Sequence, residues 1–176
     1  RMRDIPPFGV DTIRRFSSNT SEMKKLAARD FEDILQCCIP AFEGLLQKDE
    51  DNNRLLTLLY RTAEWHGHAK LRLHTDQTLK HLEMLTKEYG RLIRDFCKFA
   101  NDEGQYNTVE LPKEVNARVR NQVGSNLGTA SGNTAGISTR RARKLNINTY
   151  KWHAMGDYSS TIRLFGATDS YSTQVV

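Results

Sequence analysis

Apolar residues recur at helical spacing through most of the chain, and short polar stretches cut that rhythm into separate helices. Met23, Leu26, Ala27, Phe31, Ile34, Leu35 and Cys38 trace one amphipathic face, with Lys24, Lys25, Asp30 and Asp33 on the other. Ser18, Asn19, Thr20 and Ser21 are candidate N-caps for this first helix, and Glu22 suits its first turn. Pro40 should kink or end it, with Phe42, Leu45 and Leu46 as a short continuation before a polar turn over 48–53. Leu55, Leu56, Leu58, Leu59, Ala63, Ala69 and Leu73 predict a second helix over about 53–73. Thr75 and Asp76 open a third, to about residue 100, striped by Leu79, Leu82, Leu85, Tyr89, Leu92, Ile93, Phe96 and Phe99. Gly90 falls inside that stripe and costs ~1 kcal/mol relative to Ala, so a weak point or bend is expected there.

The rest of the chain is less regular. Residues 1–16 read as an extended lead-in through Pro6 and Pro7, with Phe8, Val10, Ile13 and Phe16 packing onto the body. Residues 101–108 are loop by composition, and Pro112 starts a modest helix carrying Val115, Val119 and Val123. Residues 124–136 read GSNLGTASGNTAG, too poor in apolar surface to offset the entropy of ordering. A last helix should begin near Asn148 or Thr149 and run to Phe165, with Trp152, Met155, Tyr158, Ile162 and Phe165 inward and Gly166 as its stop. The expected fold is mainly α: three long antiparallel helices, a short helix and a C-terminal helix, with no substantial sheet. Its organisation is a helical domain over 1–123, a flexible basic Gly/Ser/Thr-rich linker over 124–144, and a C-terminal helix and loop over 145–176 packing back on that domain.

Composition narrows the function classes. The 176 residues can bury a core, and 38% hydrophobic against 27% charged residues describes a soluble chain. Mean hydropathy is −0.62, and no apolar run approaches the ~20 residues of a membrane span, so no membrane partner is expected. The opening has no apolar signal segment, and the absence of Met at position 1 points to a piece of a longer reading frame. Cys37, Cys38 and Cys97 are an odd number with two adjacent, which suits buried thiols in a reducing compartment, nuclear or cytoplasmic.

Charge is concentrated. The formal net charge is +5, yet residues 113–144 hold Lys113, Arg118, Arg120, Arg140, Arg141, Arg143 and Lys144 against Glu114 alone, a local +6. With Lys151 and the Trp152 ring following, Arg118, Arg120, Arg140, Arg141, Arg143 and Lys144 form a candidate nucleic-acid-binding set. The same run suits a nuclear import signal or a solvated loop, and nothing in it reads base sequence.

Other chemistry is weaker. His66, His68, His74, His81 and Cys97 invite a zinc site, but an H-x-H on a helix directs its rings about 200° apart, so no metal is assigned. Asp30 with Asp33 and Asp49 with Asp51 read as solvated faces, and Asp157 and Asp169 are not assigned a catalytic role. Cys97 has no designated base. No catalytic residue and no cofactor are expected.

Two stretches carry a resemblance. Lys151, His153, Tyr158, Ile162, Arg163 and Gly166 fit K-x-H-x-x-x-x-Y-x-x-x-I-R-x-x-G, followed by Thr168, Asp169, Tyr171, Thr173 and Gln174 as T-D-x-Y-x-T-[EQ]. Upstream, His74, Thr75, Asp76, Thr78 and Leu79 fit His-Thr-[Asp/Glu]-x-[Ser/Thr]-Leu. Together they resemble the transposases of Plavaka-type, CACTA-like transposons of mushroom-forming fungi. The opening also resembles short transposon-derived reading frames, whereas residues 124–144 do not take part. The resemblance implies the helical region of a ribonuclease-H-like transposase that lies before its final acidic helix. An acid needed for metal-dependent strand transfer is expected at or just after the Thr168 loop, where this chain has Gln174, Val175 and Val176, and an amide is a weak ligand for Mg²⁺. The expected protein is therefore a truncated, catalytically incomplete transposon-derived chain with weak, salt-sensitive nucleic-acid binding. The alternative is a helical interaction module that self-associates or docks on the missing transposase core.

Overall fold

The computed structural model describes residues 1–9, 13, 15–16, 19–20, 23, 26–102, 106, 108–125 and 140–168. The fold is mainly helical: α1 (Ala28–Phe42), α2 (Asp49–Ala69), α3 (Asp76–Asn101), α4 (Pro112–Ser125), α5 (Tyr150–Ala154), a 3₁₀ turn (Met155–Asp157) and α6 (Tyr158–Phe165). Among the described residues the only β pairing is two isolated bridges, Phe8 with Ile13 and Val109 with Ala142. The chain forms two compact units, one of Arg1–Phe96 with Ile147–Val176 and one of Cys97–Asn146. The glycine-rich 126–139 lies outside the described residues.

In the first unit the long helices run antiparallel, as their cross-contacts show. Glu32, near the start of α1, pairs with Lys70 at the end of α2 (2.6 Å), while Asn52 at the start of α2 accepts hydrogen bonds from the backbone N–H groups of Leu45 and Leu46 just beyond α1. Between α2 and α3, Arg61 meets Glu88, Trp65 meets Thr86 and His68 meets His81, so one index rises as the other falls. Trp65, Ala69, Leu79, Leu82, Leu85 and Ile162 form the buried cluster, with Met155 packed against it. The predicted α3 stripe is inward at Leu79, Leu82, Leu85, Tyr89 and Ile93.

Several boundaries depart from the sequence reading. α1 starts at Ala28, where the Asp30 carboxylate accepts the Ala27 N–H (2.8 Å); Ser18, Ser21 and Glu22, expected to open the helix, lie outside the described residues. Pro40 sits inside α1, and the helix ends two residues later; in the last turn the proline forfeits only its own N–H bond. The Arg1 guanidinium takes up carbonyls freed at that end, those of Ala41, Glu43 and Gly44. Asp33, assigned to the polar side, is 2% exposed, while Phe31 on the apolar face is open to solvent. α2 begins earlier and stops at Ala69, leaving Leu73 80% exposed in the connection. Phe8 and Phe165, both expected inward, are exposed, whereas Phe16 is buried. α3 passes through Gly90 unbroken. The C-terminal helix is divided by the 3₁₀ turn over Met155–Asp157 and stops at Gly166, whose φ of 87° suits a residue without Cβ.

Candidate nucleic-acid interface

In the second unit the basic residues are organised by one acid. Glu110, 5% exposed, accepts hydrogen bonds from Arg118 Nε (3.2 Å) and Nη2 (2.9 Å) and from the Arg141 backbone N–H (3.1 Å). Its backbone carbonyl accepts from Arg140 Nε (2.6 Å), and its own N–H donates to the Arg141 carbonyl. The hydrogen bonds of Arg118 hold the Glu110 carboxyl below its ordinary range; the Arg141 N–H and the charges of Arg118 and Arg143 act in the same direction, against the opposing effect of burial. Next to it, the Arg143 N–H donates to Thr108, and Arg143 Nη2 pairs with Glu114 (3.1 Å). Asn101 closes the same segment by a two-way amide pairing with Leu145, donating from Nδ2 and accepting at Oδ1, each at 2.8 Å. Residues 140–145, the end of the linker expected over 124–144, thus pair with Glu110, Thr108 and Asn101, contacts that composition does not report.

This arrangement sorts the predicted cations. Arg118 is consumed by the Glu110 carboxylate, and Arg143 is paired at the surface with Glu114. Arg120, Arg140, Arg141 and Lys144 are exposed on the same unit. The unit holds eight Lys and Arg against four Asp and Glu over 97–146, a net +4, so it keeps most of the chain's +5. Lys151 and Trp152 belong to the other unit: Lys151 is exposed, and the half-buried Trp152 ring lies 6.1 Å from that of Tyr89. Glu110 is the member that sequence reading missed. An acid flanked by two apolar residues and followed eight positions later by an arginine was its only signal.

The motif residues of the two quoted stretches meet in the first unit. Thr75 and Thr78 cap α3 reciprocally: the Thr78 N–H donates to Thr75 Oγ1 (3.2 Å), and the Thr75 N–H to Thr78 Oγ1 (2.8 Å). Asp76 receives Arg163 Nη1 (3.0 Å), Tyr158 packs edge-on against Trp65 with centroids 4.9 Å apart, and Thr168 donates to the Ala69 carbonyl. These roles are structural: they start α3 and dock α6. His74 is half-buried and its Nε2 has no hydrogen-bond partner, while His153 is exposed. Asp169 and Tyr171 lie outside the described residues.

The histidines and thiols divide by environment. His66 faces Glu32 (3.8 Å), and the His68 and His81 rings lie 4.7 Å apart. Burial lowers the proton affinity of His66, with Lys70 adding to this and Glu32 opposing it. Burial and then the charge of His68 lower that of His74, against a hydrogen bond with the Leu71 backbone. Among the described residues no group of three or more His, Cys, Asp or Glu is placed to hold a metal ion. Cys37 and Cys38 are free thiols raised by burial, the first also by Asp33 and the second by Cys37. Cys97 donates to the Leu145 carbonyl (3.2 Å) and accepts from Asn101. No helix among the described residues is long and apolar enough to cross a membrane.

Comparison with protein-family models, with curated proteins and with solved structures gives no match for this chain.

Proposed function

We propose that this chain is a catalytically incomplete, transposon-derived helical protein, akin to part of a Plavaka-type transposase, that contacts nucleic-acid phosphates without reading sequence. The observation that carries the binding half is the Glu110 knot. By holding the 140–143 backbone against 108–110, it presents Arg120, Arg140, Arg141 and Lys144 from ordered rather than wandering segments, which lowers the entropy lost on binding. The same knot withdraws Arg118 and partly Arg143 from phosphate contact, so affinity is weak. With four cations on phosphates, the logarithm of affinity for duplex DNA falls with log salt at a slope of about −3.6, and for a single strand at about −2.8. Fluorescence anisotropy with a labelled duplex across a salt series tests this. Arg120→Ala/Arg141→Ala/Lys144→Ala should flatten the duplex slope by about 2.7. Absence of binding at low salt would remove the nucleic-acid role, and Mg²⁺-dependent nicking of supercoiled plasmid would remove the catalytic incompleteness.

A second reading, a protein-interaction module, is favoured by the exposure of Leu73, Leu164 and Phe165 in the first unit, large apolar side chains of the kind that a partner covers. Light scattering separates the two, since self-association at rising concentration supports the module and a persistent monomer opposes its self-assembling form.

A further inference from the structure

Gly90 stands in mid-α3, where glycine is the poorer helix former, and its bare backbone is in use. A Cβ there would lie 3.2 Å from Arg94 Nη1, so the guanidinium one turn on is folded over the space a side chain would fill. Both residues line a cleft of about 310 Å³, at the small end of ligand pockets. Tyr89, Ile93, Ile147, Trp152 and Met155 give it apolar and aromatic surface. Tyr89 is itself buried, and burial raises its phenol above the ordinary range. The Thr86 hydroxyl is satisfied, accepting from Trp65 Nε1 (2.8 Å) and donating to the Leu82 carbonyl (2.7 Å). The charge at the cleft is therefore that of Arg94, exposed and without an ion-pair partner among the described residues, with the exposed Asn148 and His153 as further polar groups.

We propose that this cleft binds a single nucleotide unit, its base lying on Trp152 and its phosphate on Arg94. A simple anion would gain nothing from the aromatic lining, and an apolar ligand would bury an uncompensated guanidinium. A planar base carrying a phosphate satisfies both, through stacking and a charge-assisted hydrogen bond. The inference deepens the nucleic-acid reading but rests on a different unit of the fold from the Glu110 knot. Its ligand is either a free nucleotide or a nucleotide of a single strand.

The test uses the full chain and Trp152 emission, with Trp152→Phe to isolate that signal from Trp65. Deoxyadenosine monophosphate, deoxyadenosine and a short single-stranded oligonucleotide are titrated in turn. The monophosphate, the strand or both should quench saturably, Arg94→Ala should weaken that binding about tenfold while leaving the nucleoside unchanged, and Gly90→Leu should abolish it by filling the cleft. If Gly90→Leu fails to fold by circular dichroism, Arg94→Ala decides. Quenching by the monophosphate alone identifies a free nucleotide as the ligand, and quenching by the strand alone identifies a strand nucleotide. No quenching by either, equal binding of nucleoside and monophosphate, or unaltered binding in folded Arg94→Ala overturns the proposal. Duplex anisotropy separates the two ideas: Arg94→Ala should leave the duplex salt slope intact, and Arg120→Ala/Arg141→Ala/Lys144→Ala should leave nucleotide quenching intact.

Discussion

Replacing Ile162 with alanine asks whether α6 is part of the core or merely lies near it. Ile162 is 4% exposed and joins Trp65, Ala69, Leu79, Leu82 and Leu85, residues between 77 and 97 positions away along the chain. The substitution deletes three methyl or methylene groups, about 2.4 kcal/mol of transfer free energy at about 0.8 each. A remaining void of about 40 Å³ would add about 1 kcal/mol, so the expected cost is about 3 kcal/mol, within the ~2–5 kcal/mol range of such truncations. Leu82→Ala, at a residue with no exposed surface, should cost at least as much. Because the two residues share one cluster, a double-mutant cycle should give a coupling above about 0.5 kcal/mol. Urea unfolding followed by circular dichroism and, in a Trp152→Phe background, by Trp65 fluorescence measures all three quantities, and Trp65 is a sensitive probe because Tyr158 of α6 packs on its ring. A loss for Ile162→Ala within about 0.5 kcal/mol, the range of surface substitutions, would refute the docking of α6.

Thr75→Ala removes the N-cap of α3 and should cost about 1 kcal/mol by the same unfolding assay, with Thr75→Ser close to the parent. Below neutral pH the chain should lose stability: His66 and His74 bind protons less readily folded than unfolded, so their contribution is full above the ordinary histidine value near 6.5 and declines as pH falls through it. His74→Asn should flatten the urea midpoint between pH 7.5 and 5.5, and an unchanged pH profile in that variant would count against this account. At lower pH a second loss should follow, because the Glu110 carboxyl is held below its ordinary value near 4.5, and its stabilisation is present above that value and disappears as pH falls through the depressed folded one. Glu110→Gln should imitate that loss at neutral pH, releasing 140–143 to hydrogen exchange and to trypsin after Arg140 and Arg141; protection equal to the parent's would mean that Glu110 does not organise the segment.

The hydrophobic rhythm was enough to find the helices and the inward stripe of α3, because a period of 3.6 residues is a property of the chain itself. Local signals also marked the Thr75 cap and the Gly166 stop, each needing only a neighbour within one turn. Other features depended on residues distant in sequence. Asp33 lies on the polar side of its helix by periodicity yet is buried, and Arg118 reads as a free cation until Glu110 is folded beneath it. The motif positions Asp76 and Arg163 are eighty-seven residues apart, and only the packing of α6 makes them an ion pair. Gly90 reads as a defect in one dimension, whereas in three its missing side chain leaves room for the Arg94 guanidinium. Sequence thus determined which faces are apolar; the tertiary structure decided which polar groups are spent on one another and which remain for a ligand, because that depends on partners brought together by long-range packing.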